Sequence, residues 1–219
     1  MFIVLFSAPS AGKGTQAIKL KEYYGLPHIS AGELLRERRK IDDQIGNIIA
    51  LKQDSGELVD QEIINGILID RLSQNDCKKG LILDGYPRTI SQAESLSKLL
   101  GELNKEINYV FYLNVTKEEM IKRSLGRLIC DKCGATYNKF NQDYGPIKED
   151  YCDKCNSKLV NRIDDKEEVI NKRYEEFLKE SIPLIDYYMD QKILFEVNAN
   201  INAETTFETI NQIIGKNRK

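Results

Sequence analysis

Two groups of residues in this chain have the types and the spacing to do chemistry. The first is the stretch SAPSAGKGTQ, Ser7 to Gln16, which begins where the apolar run FIVLF ends. A loop of small residues between a buried strand and a helix points backbone N–H groups at an anion. Lys13 adds a charge that can follow a transferring phosphate, and Thr15 a hydroxyl near Mg2+. The strict phosphate-loop pattern is G-x-x-x-x-G-K-[ST], and it is broken twice here. Ser7 stands where its first glycine belongs, and Gly14 separates Lys13 from Thr15.

The second group is Cys130, Cys133, Cys152 and Cys155, spaced C-x2-C-x18-C-x2-C. Each Cys-x-x-Cys can grip one side of a tetrahedral site, giving Zn2+ four thiolates and no open position. Such a metal is structural. Gly134 and Asn156 follow the two pairs, and both tolerate the left-handed turn that tightens a metal knuckle. A redox pair, disulfides and four free thiols are the competing readings. Cys77 stands apart, and His28 is the only histidine. No catalytic base is needed for phosphoryl transfer, so His28 reads as structural or surface, near a strand end.

These residues need a scaffold. The chain has 219 residues, enough for one domain with insertions, and its hydrophobic and charged fractions of 41% and 30% suit a soluble globular protein. A net charge of −2 gives no general push toward nucleic acid or membrane. No run approaches a membrane span. The start MFIVLF has no basic leader and stops at Ser7, so it does not read as a signal peptide, and a cytoplasmic protein is expected. Short apolar runs at residues 2–6, 81–84, 109–115 and 193–197, with a shorter one in PHIS (27–30), alternate with amphipathic segments. That alternation predicts an α/β fold with a parallel sheet. Residues 31–59 break it with two short helices, and 127–162 with a Cys-, Gly-, Tyr- and Asn-rich stretch lacking helical periodicity. After the second break, Asp165 and Glu168 have capping-box spacing before a helix that Pro183 should interrupt.

SAPSAGKGTQ resembles the G-x-P-G-x-G-K-G-T-Q loop of the adenylate kinases, which carries the same glycine between Lys and Thr. The resemblance runs the full chain through ISAGELLR, SGELV, LDGYPRTISQAE, RSLGR and NRIDD…KR, in family order. It implies a P-loop parallel five-stranded sheet flanked by helices, with a helical monophosphate-binding insertion and a zinc-bearing lid insertion. The core would take residues 1–29, 60–126 and 163–219, the monophosphate insertion 30–59, and the lid 127–162. The implied reaction is reversible transfer from MgATP to AMP giving two ADP, by a monomer. Ser7 and Ser10 depart from the family's glycines. A left-handed angle at either would cost about 1–2 kcal/mol; with the rest of the machinery intact, ordinary angles are expected, with the Ser10 hydroxyl free to donate to phosphate.

By the same resemblance, Ser10, Ala11, Gly12, Lys13, Gly14 and Thr15 bind ATP, joined by Arg127, Thr136, Tyr137 and, through its backbone, Ile201. Arg123 reaches the phosphates. Arg36 and Arg88 hold the monophosphate, an arginine task because the guanidinium fork grips phosphate oxygens in pairs. Gly85, Tyr86 and Pro87 shape the turn beside Arg88, and Asp84 holds Mg2+ through water. Gln92 reads adenine, Glu57 offers backbone, and Leu58 and Val59 line the base pocket. Arg162 and Arg173 meet the monophosphate and the transferring group. Lys13, Arg88, Arg123, Arg162 and Arg173 form the catalytic set. Asp164 and Asp165 sit at the rear hinge of the lid, although Asp165 can equally be a helix cap. Arg123 and Arg127, four apart, share a helix face if that helix continues.

Ala31 is a further departure, since adenylate kinases commonly have Thr there. SAGELLR is closer to the uridylate/cytidylate kinases, which lack the long lid and usually replace the glutamine at position 92. The alternative acceptor is therefore UMP, CMP or a broad range of monophosphates. A rival of another class is a zinc-ribbon module for nucleic acid. Its Lys132, Lys139, Lys148, Lys154 and Lys158 are offset by Asp131, Asp143, Glu149, Asp150 and Asp153, and it leaves the phosphate loop unexplained.

Overall fold

The fold is described from a computed structural model covering residues 1–141, 144–162 and 164–217. Asp143 of the lid and Ile163, where the third core segment was expected to begin, lie outside the described residues. The run FIVLF forms strand β1 (Phe2–Phe6), buried at every position. It is central: the sheet runs β2 (His28–Ser30), β3 (Leu81–Asp84), β1, β4 (Tyr109–Asn114), β7 (Leu194–Asn198), all parallel. Continuous apolar runs mark strands covered on both faces, and the covering helices here are α1 (Lys13–Tyr24), α5 (Ile90–Glu102), α8 (Pro183–Asp190) and α9 (Ala203–Asn217). Ile3, Leu5, Ile82, Val110, Phe111 and Leu113 are wholly or almost wholly buried between these layers. All five expected strands are present, the last displaced by one residue.

Between β2 and β3 the chain makes α2 (Ala31–Arg38), α3 (Gln44–Ser55) and α4 (Gln61–Leu72). Ser30 and Asp43 cap the first two, accepting from Glu33 N and Gly46 N. After β4, Thr116 caps α6 (Lys117–Leu125), and Gly126 leads out of that helix. A Cβ on Gly126 would stand 2.5 Å from Asn138 Oδ1 and 2.6 Å from the Phe140 ring, so any larger residue would force these two side chains to shift. The lid follows as an antiparallel pair, β5 (Arg127–Ile129) and β6 (Thr136–Asn138). Its apolar cluster is small: Leu128, Cys130, Cys152 and Leu159.

The return helix corrects one expectation. α7 runs Glu167–Glu176 with Lys166 at its N-cap and no side-chain cap. Asp165 is not the cap, because its carboxylate is taken by Arg127. A π-helical stretch, Phe177–Ser181, then absorbs the approach to Pro183, which begins α8. Arg123 and Arg127 do not share a helix face either: α6 ends at Leu125, and Arg127 starts β5.

Candidate active site and metal centre

The site lies at the carboxyl ends of β1 and β3, where open α/β sheets bind ligands. From β1 the loop turns through Gly12, which adopts φ 95° and forms the N-cap of α1 without a side-chain cap. The first amides of α1 are thus uncapped by side chains, and no acidic residue sits in the first turn. Both features favour an anion. Lys13 folds its ammonium back over the loop, donating to Ser7 Oγ (2.8 Å), Ala8 O (3.2 Å) and Ser7 O (3.3 Å). Desolvation lowers its pKa to about 8; the charge of Asp84 opposes this, while Arg88 and Arg127 add to it.

The two serine departures resolve differently. Ser7 has no positive φ, and its hydroxyl becomes a partner for Lys13. Ser10 has φ 54°, the left-handed region that its usual glycine allows freely. The expectation of ordinary angles there is wrong. The loop demands that conformation, and the Ser10 hydroxyl is held by Ser124 on α6 at 2.7 Å.

Asp84 ends β3 and is buried. His28 Nε2 lies 3.4 Å from its Oδ2, so His28 faces the site and is not a surface residue. The next residues, Gly85 (φ 75°), Tyr86 and Pro87, carry the chain to Arg88. The Arg88 backbone is held at both ends: its N–H donates to Gln92 Oε1 (2.8 Å), and its carbonyl accepts from Ser181 (2.9 Å). Its Nε donates to Gly85 O at 2.9 Å. Arg88 is open to solvent, yet the walls of the cleft desolvate it and lower its pKa, with Arg173 adding to the effect. Gln92 is itself buried, with its amide oxygen occupied by Arg88.

Other cations converge on the same space. Arg36, on α2, is lowered by desolvation and feels Asp164, Arg127 and Asp84. Desolvation brings Arg162 down to about 9, helped by Arg127 and Arg36. Burial alone would raise Asp164; Arg162 and Arg173 outweigh it and hold the carboxyl at about 2. Arg173 pairs with Asp164 and also donates to Gln53 O (3.3 Å), touching the end of α3. Arg123 is positioned by Glu119 (2.8 Å) and extends toward Ala11 O (3.5 Å). Lys13, Arg36, Arg88, Arg127, Arg162 and Arg173 are thus electrostatically coupled around Asp84 and Asp164.

The remaining candidates sit at the periphery. Ala31 is buried at the start of α2, and Val59 is buried while Leu58 is half-buried. The Glu57 side chain is engaged with Lys52 (3.0 Å) and Lys172 (2.8 Å). On β6, Thr136 is exposed, whereas Tyr137 packs on the lid cluster and its hydroxyl accepts from Asp153 N at 2.9 Å. Ile201 is exposed in the turn before α9. Sequence reasoning missed the positioning of the site by Ser124, Ser181 and His28. Ser124 left a trace, being a polar residue one turn after buried Met120 on α6.

In the lid the four cysteine sulfurs all lie within 4.8 Å of one another, and none is in a disulfide. A tetrahedral Zn–S distance of about 2.3 Å places sulfurs roughly 3.8 Å apart, which this cluster fits. The two knuckles repeat one pattern. Gly134 N donates to Cys130 O and Asn156 N to Cys152 O, both at 2.8 Å, with φ of 72° and 55°. The left-handed turns expected at both positions are therefore present.

A family model for adenylate kinase matches residues 5–193. The chain is also similar, over 99% of its length, to an adenylate kinase of Methanosarcina barkeri (45% identity, 99% of that protein) and one of Archaeoglobus fulgidus (44% identity, 99% of that protein). An adenylate kinase of Geobacillus sp. is 43% identical over 98% of this chain and 99% of its own.

The chain belongs to the adenylate kinase family.

Its function is that of an adenylate kinase and its chemistry is phosphotransfer, with a parallel sheet carrying the loop and four clustered cysteines suited to a zinc ion. The zinc-ribbon rival has no place for the coupled cations around Asp84. Among the described residues, no helix is long and apolar enough to cross a membrane.

Proposed function

We propose that this enzyme transfers the γ-phosphoryl group of MgATP to AMP in line, giving two ADP, with the residues of the cleft in defined roles. The observation that carries this is the convergence of Lys13, Arg88, Arg162 and Arg173 at the carboxyl ends of β1 and β3. Phosphoryl transfer asks for positioning and charge neutralisation, and such a cluster supplies both. The loop from Ser10 to Thr15 cradles the ATP phosphates, with Lys13 leaving Ser7 to follow the transferring group. Arg123, Arg127, Thr136, Tyr137 and Ile201 border the ATP side. Arg36 and Arg88 hold the acceptor phosphate beside Gly85, Tyr86 and Pro87. Ala31, Glu57, Leu58, Val59 and Gln92 form the base side of that pocket. Arg162 and Arg173 bridge the two phosphates.

Asp84 is the residue suited to hold Mg2+ through water; the ion would supply charge at the ATP phosphates. Cys130, Cys133, Cys152 and Cys155 would hold a structural zinc. The core would comprise residues 1–29, 60–126 and 163–219, with 30–59 and 127–162 closing over the two nucleotides to exclude water. A cytoplasmic monomer is the reading that accompanies it.

The test is a coupled assay with ATP and each of AMP, CMP, UMP and GMP. We expect AMP to give the highest kcat/KM. Ala31 offers no hydroxyl at the base, which favours relaxed selectivity as the second reading; a strong CMP or UMP preference would make that reading the correct one.

A further inference from the structure

We propose that Ser124 is a positioning residue for the phosphate loop, acting through its hydroxyl bond to Ser10. Ser10 is a non-glycine residue at φ 54°, a conformation that disfavours a side chain unless something holds it. Ser124 holds it: its hydroxyl donates to Ser10 Oγ at 2.7 Å. Ser124 is only 1% exposed, so solvent cannot replace that partner. Among the described residues its only other acceptor is Met120 Sδ at 3.9 Å, a weak one. A buried hydroxyl is unfavourable without a partner, and a left-handed serine without a tether. Each residue answers the other's deficit.

The bond also sets a proton direction. With Ser124 donating, Ser10 keeps its own hydrogen, and Ser10 is only partly buried. That hydrogen is available to an oxygen of a bound phosphate. The neighbouring residue on α6 reinforces the tether, since Arg123 extends toward the carbonyl of Ala11 at 3.5 Å. Two consecutive residues of α6 thus reach two consecutive residues of the loop. The same turn is fixed to the lid, because Asn138 of β6 donates to Arg123 O at 2.9 Å. Ser124 therefore fixes the shape of the loop relative to the segment that carries Arg123, and its effect falls on ATP and not on AMP.

This inference rests on the reading that the loop takes ATP. The test is a double-mutant cycle of Ser124→Ala and Ser10→Gly, with KM for ATP, KM for AMP, kcat and the melting midpoint measured for all four proteins. Ser124→Ala is expected to raise KM for ATP about three- to ten-fold. KM for AMP and kcat should stay within about two-fold. In the Ser10→Gly background, where no hydroxyl awaits Ser124 and glycine accepts the angle, the same substitution should change KM for ATP less than about two-fold. An equal change in both backgrounds, or a lowered melting midpoint with KM for ATP unmoved, would overturn the inference while leaving the ATP reading intact. A wild-type enzyme that turns over no ATP would overturn both.

Discussion

Around β1 and β4, residues such as Ile3, Leu5, Phe111 and Leu113 are sealed between two helical layers, whereas among its described residues the lid buries only Leu128, Cys130, Cys152 and Leu159 as a cluster. The magnitudes separate the two regions. Two leucines contribute roughly 3–6 kcal/mol. Ordering a backbone costs on the order of 1–2 kcal/mol per residue. The lid cannot hold its shape over residues 127–162 by apolar burial, so its knuckles need a cross-link. The sheet needs none. The difference teaches that stability and chemistry are distributed differently here: the rigid sheet ends present Lys13, Asp84 and Arg88, while the lid carries Arg127 and Arg162 on a frame whose four clustered cysteines are suited to a zinc ion.

The largest break in that comparison should come from the metal. We expect about one zinc per chain by elemental analysis. Chelation, or Cys130→Ser with Cys152→Ser, should abolish hydrogen-exchange protection across the lid while the sheet stays protected. Zinc-linked folding energies are on the order of 10 kcal/mol, enough to decide a segment this small. Lid and sheet losing protection together would show that they are not independent.

A smaller, opposite break should follow Phe111→Ala. Phe111 is fully buried in β4 and stacks with Tyr109. We expect a loss of about 3–5 kcal/mol in denaturant unfolding, with zinc content unchanged. Loss of zinc in this variant would refute the separation.

The smallest effect is electrostatic. Lys13 has a folded pKa of about 8 against an ordinary 10.5. Below pH 8 the lysine is charged in both folded and unfolded chains, and its desolvation burden is fully present. Between about pH 8 and 10.5 the folded chain has shed the proton and the unfolded chain has not, so the contribution of Lys13 to stability rises with pH. With Lys13 gripping the ATP phosphates as proposed, binding would need the charged form and run the other way. We expect the ATP Kd to be flat below pH 8 and to rise above it by at most about ten-fold per pH unit, with proton uptake on binding. Calorimetry in two buffers of different ionisation heat measures that uptake, and Lys13→Met should abolish it. Uptake that persists in Lys13→Met would assign the proton to another group.

Much of the fold was legible because short continuous apolar runs alternating with amphipathic segments suit strands covered on both faces. FIVLF and LILD became β1 and β3 for that reason. The cysteine spacing was legible too, since two short knuckles are local structures whose turn residues, Gly134 and Asn156, announce themselves. Asp165 was not: its capping spacing is local, but Arg127, 38 residues away, outcompeted the helix end for its carboxylate. His28 and Ser181 were missed for a similar reason, being ordinary residues until β3 and Arg88 come beside them.

Ser7 and Ser10 mark the boundary between the two kinds of information. Sequence alone determined that a phosphate loop follows β1 and that four cysteines form two matched knuckles, because those patterns are short-range and chemically specific; the shared cleft of the distant arginines was implied only by the resemblance to the adenylate kinases. Tertiary structure decided which backbone angles the loop imposes. It turned Ser7 toward Lys13 and set Ser10 in a left-handed turn against a serine 114 positions later. A residue's backbone region and its buried partner depend on what packs beside it, and no local pattern carries that.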